Sequence, residues 1–328
     1  MEKVKERINK YDNLRGLAIF LVVFGHLNYS KVLGPFNPLL FMIDLPVLFF
    51  VAGYFSKIDI DQPAKSFKRL MVPYFLFCML IELFRWAYTG KLAWDMIFLQ
   101  ASMGMWFLVA LFIMKMILPI MDRLKYPIIT TMLFALLFGL YDIHPNILGL
   151  SRTFAYLPIF LLGFYFNTYR ENFSIQHPKL FGFCDRNFKL LMVILIIITG
   201  ICLFKISGKF FVFKRPYVGR LEFEAIKRLI IIALDMCWVV ALNRIMTNRN
   251  CFLTKIGKNS MAVYLLHIFV YYFFKPLWPS LVTGSVMAAI LSLAITAVTV
   301  YVFSRDVVTK YLNKFTDGVY DLLTKPAG

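Results

Sequence analysis

The chain has 328 residues, of which 60% are hydrophobic and 17% aromatic, and its mean hydropathy is +0.71. Soluble domains are nearer to about 45–50% apolar, so this composition excludes an ordinary soluble domain and predicts a chain solvated by lipid. The excess of 36 Lys and Arg over 18 Asp and Glu points to cytoplasmic loops of a membrane protein rather than to nucleic acid, with a grip on an anionic substrate as a second use.

A bilayer core of about 30 Å takes about 20 mostly apolar residues per helix. Hydrophobic runs and their polar breaks predict ten such helices, at 14–30, 38–56, 70–88, 97–120, 126–142, 153–169, 188–205, 226–243, 260–275 and 285–304. The basic arm MEKVKERINKYDNLRG leads into an apolar run with no small-residue cleavage site, so the first segment reads as a retained helix. Lys115 and Pro119 interrupt the fourth. With both termini cytoplasmic, about two thirds of the Lys and Arg fall on that side, as the distribution of positive charge in membrane proteins requires. The exception is the basic stretch 205–228, KISGKFFVFKRPYVGRLEFEAIKR, which this topology puts outside. It reads either as an error in helix count or as a surface for a polyanion.

No repeat, low-complexity tract or long polar tail breaks the sequence. The expectation is therefore a single all-α, polytopic membrane domain over 1–328, with no separate soluble domain. Cys78, Cys184, Cys202, Cys237 and Cys251 are scattered without a C-x-x-C pair, and we assign them neither disulfide nor metal.

Arg15 and His26 lie eleven residues apart on the first predicted helix. At 100° per residue that is about 20° past three turns, so both face one way, about 16 Å apart along the axis. Arg15 is expected at the cytoplasmic mouth and His26 near mid-membrane, where a polar side chain must line a protein interior or a wet cavity. Taken singly, His26 reads equally as a hydrogen bond to a neighbouring helix and Arg15 as a headgroup anchor. Gly16 and Gly25 beside them permit close helix packing. Together, a permanent cation and a titratable imidazole on one face describe a path for an anionic substrate with proton transfer at its end.

The segment YDNLRGLAIFLVVFGH, Tyr11 to His26, resembles the first helix of the membrane acyltransferase-3 family, with its Arg, ten residues, then His. LPVLFFVAGYFSK (45–57), KRLMVPYFLF (68–77), MWFLVALF (105–112), SRTFAYLPIFLLGFYF (151–166) and IGKNSMAVYLLH (256–267) follow in family order. The flavour is that of the sugar O-acetyltransferase branch, which includes fucose 4-O-acetylases and capsule acetyltransferases. Ile43-Asp44-Leu45-Pro46 departs from that branch, which often reads Phe-His-Met-Pro there.

The resemblance implies a bacterial, multi-pass plasma-membrane O-acyltransferase that moves acetyl from cytoplasmic acetyl-CoA to a hydroxyl of a cell-surface glycan or lipid-linked sugar. It also implies that Arg15, with Lys68, Arg69 and Tyr74 of the basic loop, serves the coenzyme A end. Positive-inside topology accounts equally well for Lys68 and Arg69. His26 is the candidate base or acyl carrier, and Asp44 a residue that orients or tunes a histidine or holds an acceptor hydroxyl. Ser260, Tyr264 and His267 share a helix face. With Trp106 and Arg152 they are candidate substrate contacts, against the alternatives of helix packing for the first three and membrane-interface anchoring for the other two. Asp235, inside the eighth run, is expected to pair with a base, and Glu82 with Arg85. Membrane lipid and the glycan acceptor are the expected partners, along with a second copy of the chain or glycan-assembly proteins. Two alternatives stay open: a transporter or flippase using the same polar track without chemistry, and the same fold with another acyl group such as succinyl.

Overall fold

The computed structural model of the protein describes residues 8–90, 98–99, 104–140, 147–208, 210–213, 216–217 and 219–324. In chain order the helices are α1 (Asn9–Leu27), α2 (Asn37–Tyr54), α3 (Gln62–Ser66), α4 (Val72–Thr89), α5 (Trp106–Met121), α6 (Pro127–Leu140) and α7 (Leu150–Gln176). There follow α8 (Pro178–Arg186), α9 (Phe188–Lys205), α10 (Leu221–Ile245), α11 (Phe252–Lys258), α12 (Ser260–Leu281), α13 (Ser285–Phe303) and α14 (Asp306–Leu323). A π turn at Phe67–Met71 joins α3 to α4. Each of the ten predicted segments falls on a helix, although the start of the fourth, before α5, lies outside the described residues.

Among the described residues, five helical stretches are long and apolar enough to cross a membrane: Gly34–Tyr54, Gln62–Ala87, Phe188–Lys205, Ser260–Leu281 and Ser285–Phe303. Along α9 and α13, residues such as Ile196, Ile197, Ile201, Ile290 and Leu293 face outward, a surface that only lipid covers without cost. By contrast α1, α7 and α10 are as long but carry Arg15, Arg152, Arg228 and Asp235. All three pack on α2, and α10 also packs on α1 and α7. Shielding from lipid is what lets them keep charge inside their length.

Two glycine pairs set the closest approaches. A Cβ on Gly53 would strike the Phe160 carbonyl and one on Gly163 the Phe50 carbonyl, so α2 and α7 meet backbone to backbone. Likewise Gly16 abuts the Leu253 carbonyl and Gly257 the Asp12 carbonyl, which seats α11 against the first turns of α1. Asn13, fully buried, completes that seam. Its amide donates to the Thr247 and Arg249 carbonyls at 2.9 and 3.0 Å, and its oxygen accepts from Thr254 Oγ1 at 2.5 Å. Gly163→Ala is expected to cost ~1–3 kcal/mol, because neither facing backbone can retreat. A melting temperature several degrees lower, measured in detergent, checks it.

The start of α1, the 247–258 segment and the start of α14 share one end of the bundle. Lys10 N–H donates to Asn248 Oδ1, and the Asn259 amide bridges the Ser304 carbonyl and Asp306 Oδ1 at 2.9 and 2.8 Å. The described parts of the basic 205–228 stretch are not an open loop. Phe211 and Phe213 are buried, and so is Arg228 on α10.

Candidate active site

α1 places Arg15 beside α11 and α12. Its guanidinium lies 3.7 Å from Asp12 Oδ1 and 5.7 Å from the centroid of the Phe55 ring. It lines a cavity of about 290 Å³ together with Leu48, Phe107, Lys258, Ser260 and Tyr264. Lys258, in the last turn of α11, is a second cation on that wall. Two cations, Arg15 and Lys258, thus line one mouth, with Lys115, half-buried on α5, electrostatically close to Arg15 and to Arg69. Grouping like charges is unfavourable unless an anion joins them, so the mouth is built for a polyanionic end such as the phosphates of a nucleotide. Sequence reading missed Lys258 and treated Lys115 only as an interruption; three-residue spacing from Tyr264 through Met261 to Lys258 was the available signal.

At the other end of α1, His26 Nδ1 lies 2.8 Å from His267 Nε2 on α12, with the two rings stacked, centroids 5.0 Å apart and planes 13° apart. His267 is fully buried, and its Nδ1 sits 3.1 Å from the Val263 carbonyl. A carbonyl only accepts, so His267 Nδ1 carries the hydrogen there and, in the neutral ring, Nε2 is a lone pair. His26 Nδ1–H donates into that lone pair. Its own Nε2 is left as an acceptor on a half-buried ring. The mid-membrane placement of His26 needs correcting in one respect: α1 stops at Leu27, so His26 occupies its last turn. Depth inside the bundle comes from α12, which runs on from His267 to Leu281.

Gly104 joins mouth and dyad. With φ at +87°, it holds a left-handed conformation suited to glycine, and a Cβ there would sit 3.6 Å from His26 Cε1 and 3.3 Å from Ile268 Cδ1. Its carbonyl accepts the Tyr264 hydroxyl in a short hydrogen bond, while the Tyr264 ring lies 6.0 Å from that of His267. Tyr264 therefore touches the cavity on one side and the dyad on the other. Above His26, Tyr29 and Tyr271 stack at 5.3 Å, and Trp278 Nε1 donates to Ser30 Oγ at 2.8 Å. These aromatic rings make a wall suited to a sugar face, and nothing in their local sequence marks them.

A third group lies beyond Gly104. Trp106 is buried, 6.3 Å from the Tyr156 ring, with the Arg152 guanidinium 4.0 Å over its own ring. The interface-anchor alternative for Trp106 and Arg152 gives way to an interior stack, because both pack inside α5 and α7. Asp44 is buried on α2, with its Oδ1 accepting Leu45 N–H at 2.5 Å. It acts electrostatically on Asp235 of α10 rather than on His26. Among the described residues Asp235 has no hydrogen-bond partner for either oxygen, and the expected pairing with a base is replaced there by a neighbouring carboxyl. Glu82 and Arg85 do pair, at 2.5 Å.

The structure separates two expected cofactor contacts from the mouth. Lys68 Nζ pairs with Asp317 at 3.0 Å and Asp321 at 3.9 Å, tying the π turn to α14. Tyr74 is buried, and its hydroxyl donates to the Phe98 carbonyl at 2.5 Å. Arg69 acts electrostatically on Lys115. Of the candidate substrate contacts, Ser260 and Tyr264 line the cavity and His267 lies against His26.

No curated protein and no solved structure matches the chain. The family model described as an acyltransferase domain matches residues 8–305. That span takes in the Arg15 mouth, the His26–His267 pair and, among the described residues, the five helices long and apolar enough to cross a membrane, and the chain belongs to the acyltransferase-3 family.

Proposed function

We propose that the protein is an O-acetyltransferase of a bacterial plasma membrane, with about ten crossings and both termini in the cytoplasm, that passes acetyl from acetyl-CoA directly to a glycan or lipid-linked sugar hydroxyl. The observation that carries this reading is the 2.8 Å contact between His26 and His267. A neutral imidazole whose far nitrogen is fixed as a donor presents its other nitrogen as a base.

Acetyl-CoA enters as substrate with its phosphates on Arg15, Lys258, Arg69 and Lys115 and its thioester toward Tyr264. His26 Nε2 takes the proton of the acceptor hydroxyl as its oxygen attacks the thioester carbonyl carbon. The imidazolium is stabilised by its Nδ1–H bond to His267. When the tetrahedral intermediate collapses, the C–S bond breaks and His26 returns the proton to the departing thiolate. Free coenzyme A and an O-acetyl ester result, and His26 is neutral again. Tyr264 closes the passage between mouth and dyad, so water is kept from the thioester until an acceptor is in place.

The test uses purified full-length protein in nanodiscs with acetyl-labelled acetyl-CoA and a lipid-linked glycan extract. The expected result is alkali-labile label in the glycan fraction, and succinyl-CoA in parallel tests the acyl group. Protein that leaves acetyl-CoA intact and carries solute across a vesicle membrane would instead establish the transporter reading.

A further inference from the structure

Beyond Trp106 lies a group of buried polar atoms that the transfer chemistry does not use. Arg228 is 3% exposed. Its Nη2 donates to the Ser151 carbonyl at 2.9 Å and Ser151 Oγ at 3.2 Å, its guanidinium stands 5.0 Å over Phe213, and among the described residues, as for the other groups named here, its Nε has no partner. Arg152, the next residue after Ser151, stacks on Trp106 and also leaves Nε without a partner. Tyr156, fully buried, lies within electrostatic reach of both guanidiniums, and its hydroxyl has no hydrogen bond. The Tyr217 hydroxyl beside Arg228 is likewise unpartnered.

Carboxylates do not neutralise this pair. Glu224, one turn before Arg228, gives its carboxylate to Lys227 at 2.8 Å. Asp44 and Asp235 also act on Tyr156, but neither forms an ion pair with either arginine among the described residues. Two rigidly held guanidiniums, each with an Nε unpartnered among the described residues and a face against an aromatic ring, form a fork for an oxyanion. Leaving such cations buried and unmatched is costly. Bilayer phosphates cannot reach Arg228 at that depth of burial, so the anion must arrive on a molecule that enters the bundle.

We infer that the acceptor is an acidic glycan: a sugar carboxylate or sugar phosphate docks between Arg152 and Arg228, with the Tyr156 and Tyr217 hydroxyls donating to the same group. This inference rests on the acetyltransferase reading and names its second substrate. Seated there, the anion fixes the sugar on the Trp106 side of Gly104, with a hydroxyl turned toward His26.

The experiment is calorimetric titration of the full-length protein in phosphatidylcholine nanodiscs with methyl glucuronide, glucose 1-phosphate and methyl glucoside, and separately with acetyl-CoA. We expect at least one anionic sugar to bind about tenfold or more tighter than the neutral one, as charge-assisted bonds to a guanidinium allow. Arg228→Gln is expected to abolish that preference, and whichever anionic sugar binds identifies carboxylate or phosphate. If Arg228→Gln does not fold, Arg152→Gln, at a half-buried site, carries the same test. Equal affinity for all three sugars, binding of none, or a preference that survives both substitutions overturns the acidic acceptor. Wild-type protein that fails to bind acetyl-CoA overturns the underlying acetyltransferase reading, whatever the sugars do.

Discussion

His26→Ala is expected to lower acetyl transfer about 10²–10⁴-fold, the contribution of a positioned general base, with the affinity for acetyl-CoA unchanged. Alanine removes the Nε2 lone pair, and the other titratable side chain at Gly104, Tyr264, has its hydroxyl committed to the Gly104 carbonyl. His267→Ala is expected to cost less, about 10–100-fold, because it leaves the base in place but unorients its ring and removes the acceptor for the imidazolium Nδ1–H. The two losses are not additive: with His26 gone, removing His267 changes the rate little further. Label transfer by the two single variants and the double variant, alongside calorimetric acetyl-CoA binding, checks all three expectations. His267→Ala as damaging as His26→Ala, with its own affinity for acetyl-CoA lost, would mark His267 as merely structural.

Arg15→Gln is expected to raise the KM for acetyl-CoA about 10–100-fold with kcat within a few-fold, since a charge-assisted hydrogen bond contributes ~1.5–3 kcal/mol and each ~1.4 kcal/mol is tenfold. The loss belongs to binding, because the guanidinium lines the mouth and sits eleven residues from the base on one helix. An acetyl thioester of N-acetylcysteamine, which lacks the phosphates, should show the same KM in wild type and Arg15→Gln. A matching rise with that short donor would mean that Arg15 shapes the site rather than gripping phosphate. Lys258→Gln should act in the same direction, and Lys68→Gln should leave the KM near wild type, because Lys68 is committed to Asp317 and Asp321.

Periodicity carried much of this in advance. Hydrophobic runs located the helices because lipid imposes length and apolarity on every crossing. Helical geometry alone put Arg15 and His26 on one face, and the glycines of two sequence motifs, Gly53 and Gly163, each face the backbone of the other's helix. The partner of His26 was not legible as such: His267 is 241 residues away, and a shared face with Tyr264 says nothing about which helix that face meets. Lys258 and Lys115 read as topology and interruption because positive charge near a helix end has a bland explanation. Asp235 was expected to find a base because burying a lone carboxyl is expensive, yet α10 lies against α2 and presents it to Asp44. Arg228 looked like part of an external loop until α10 extended back to Leu221 and drew it inside.

The most direct test of His26 as the proton acceptor is the pH dependence of kcat/KM for acetyl transfer in wild type and in the residual activity of His26→Ala. The account predicts that wild-type rate falls tenfold per pH unit at the acid limit, as a single proton occupies Nε2, and that this limb disappears in His26→Ala. An acid limb that persists unchanged in a folded, acetyl-CoA-binding His26→Ala protein would assign the base to another residue and contradict the mechanism.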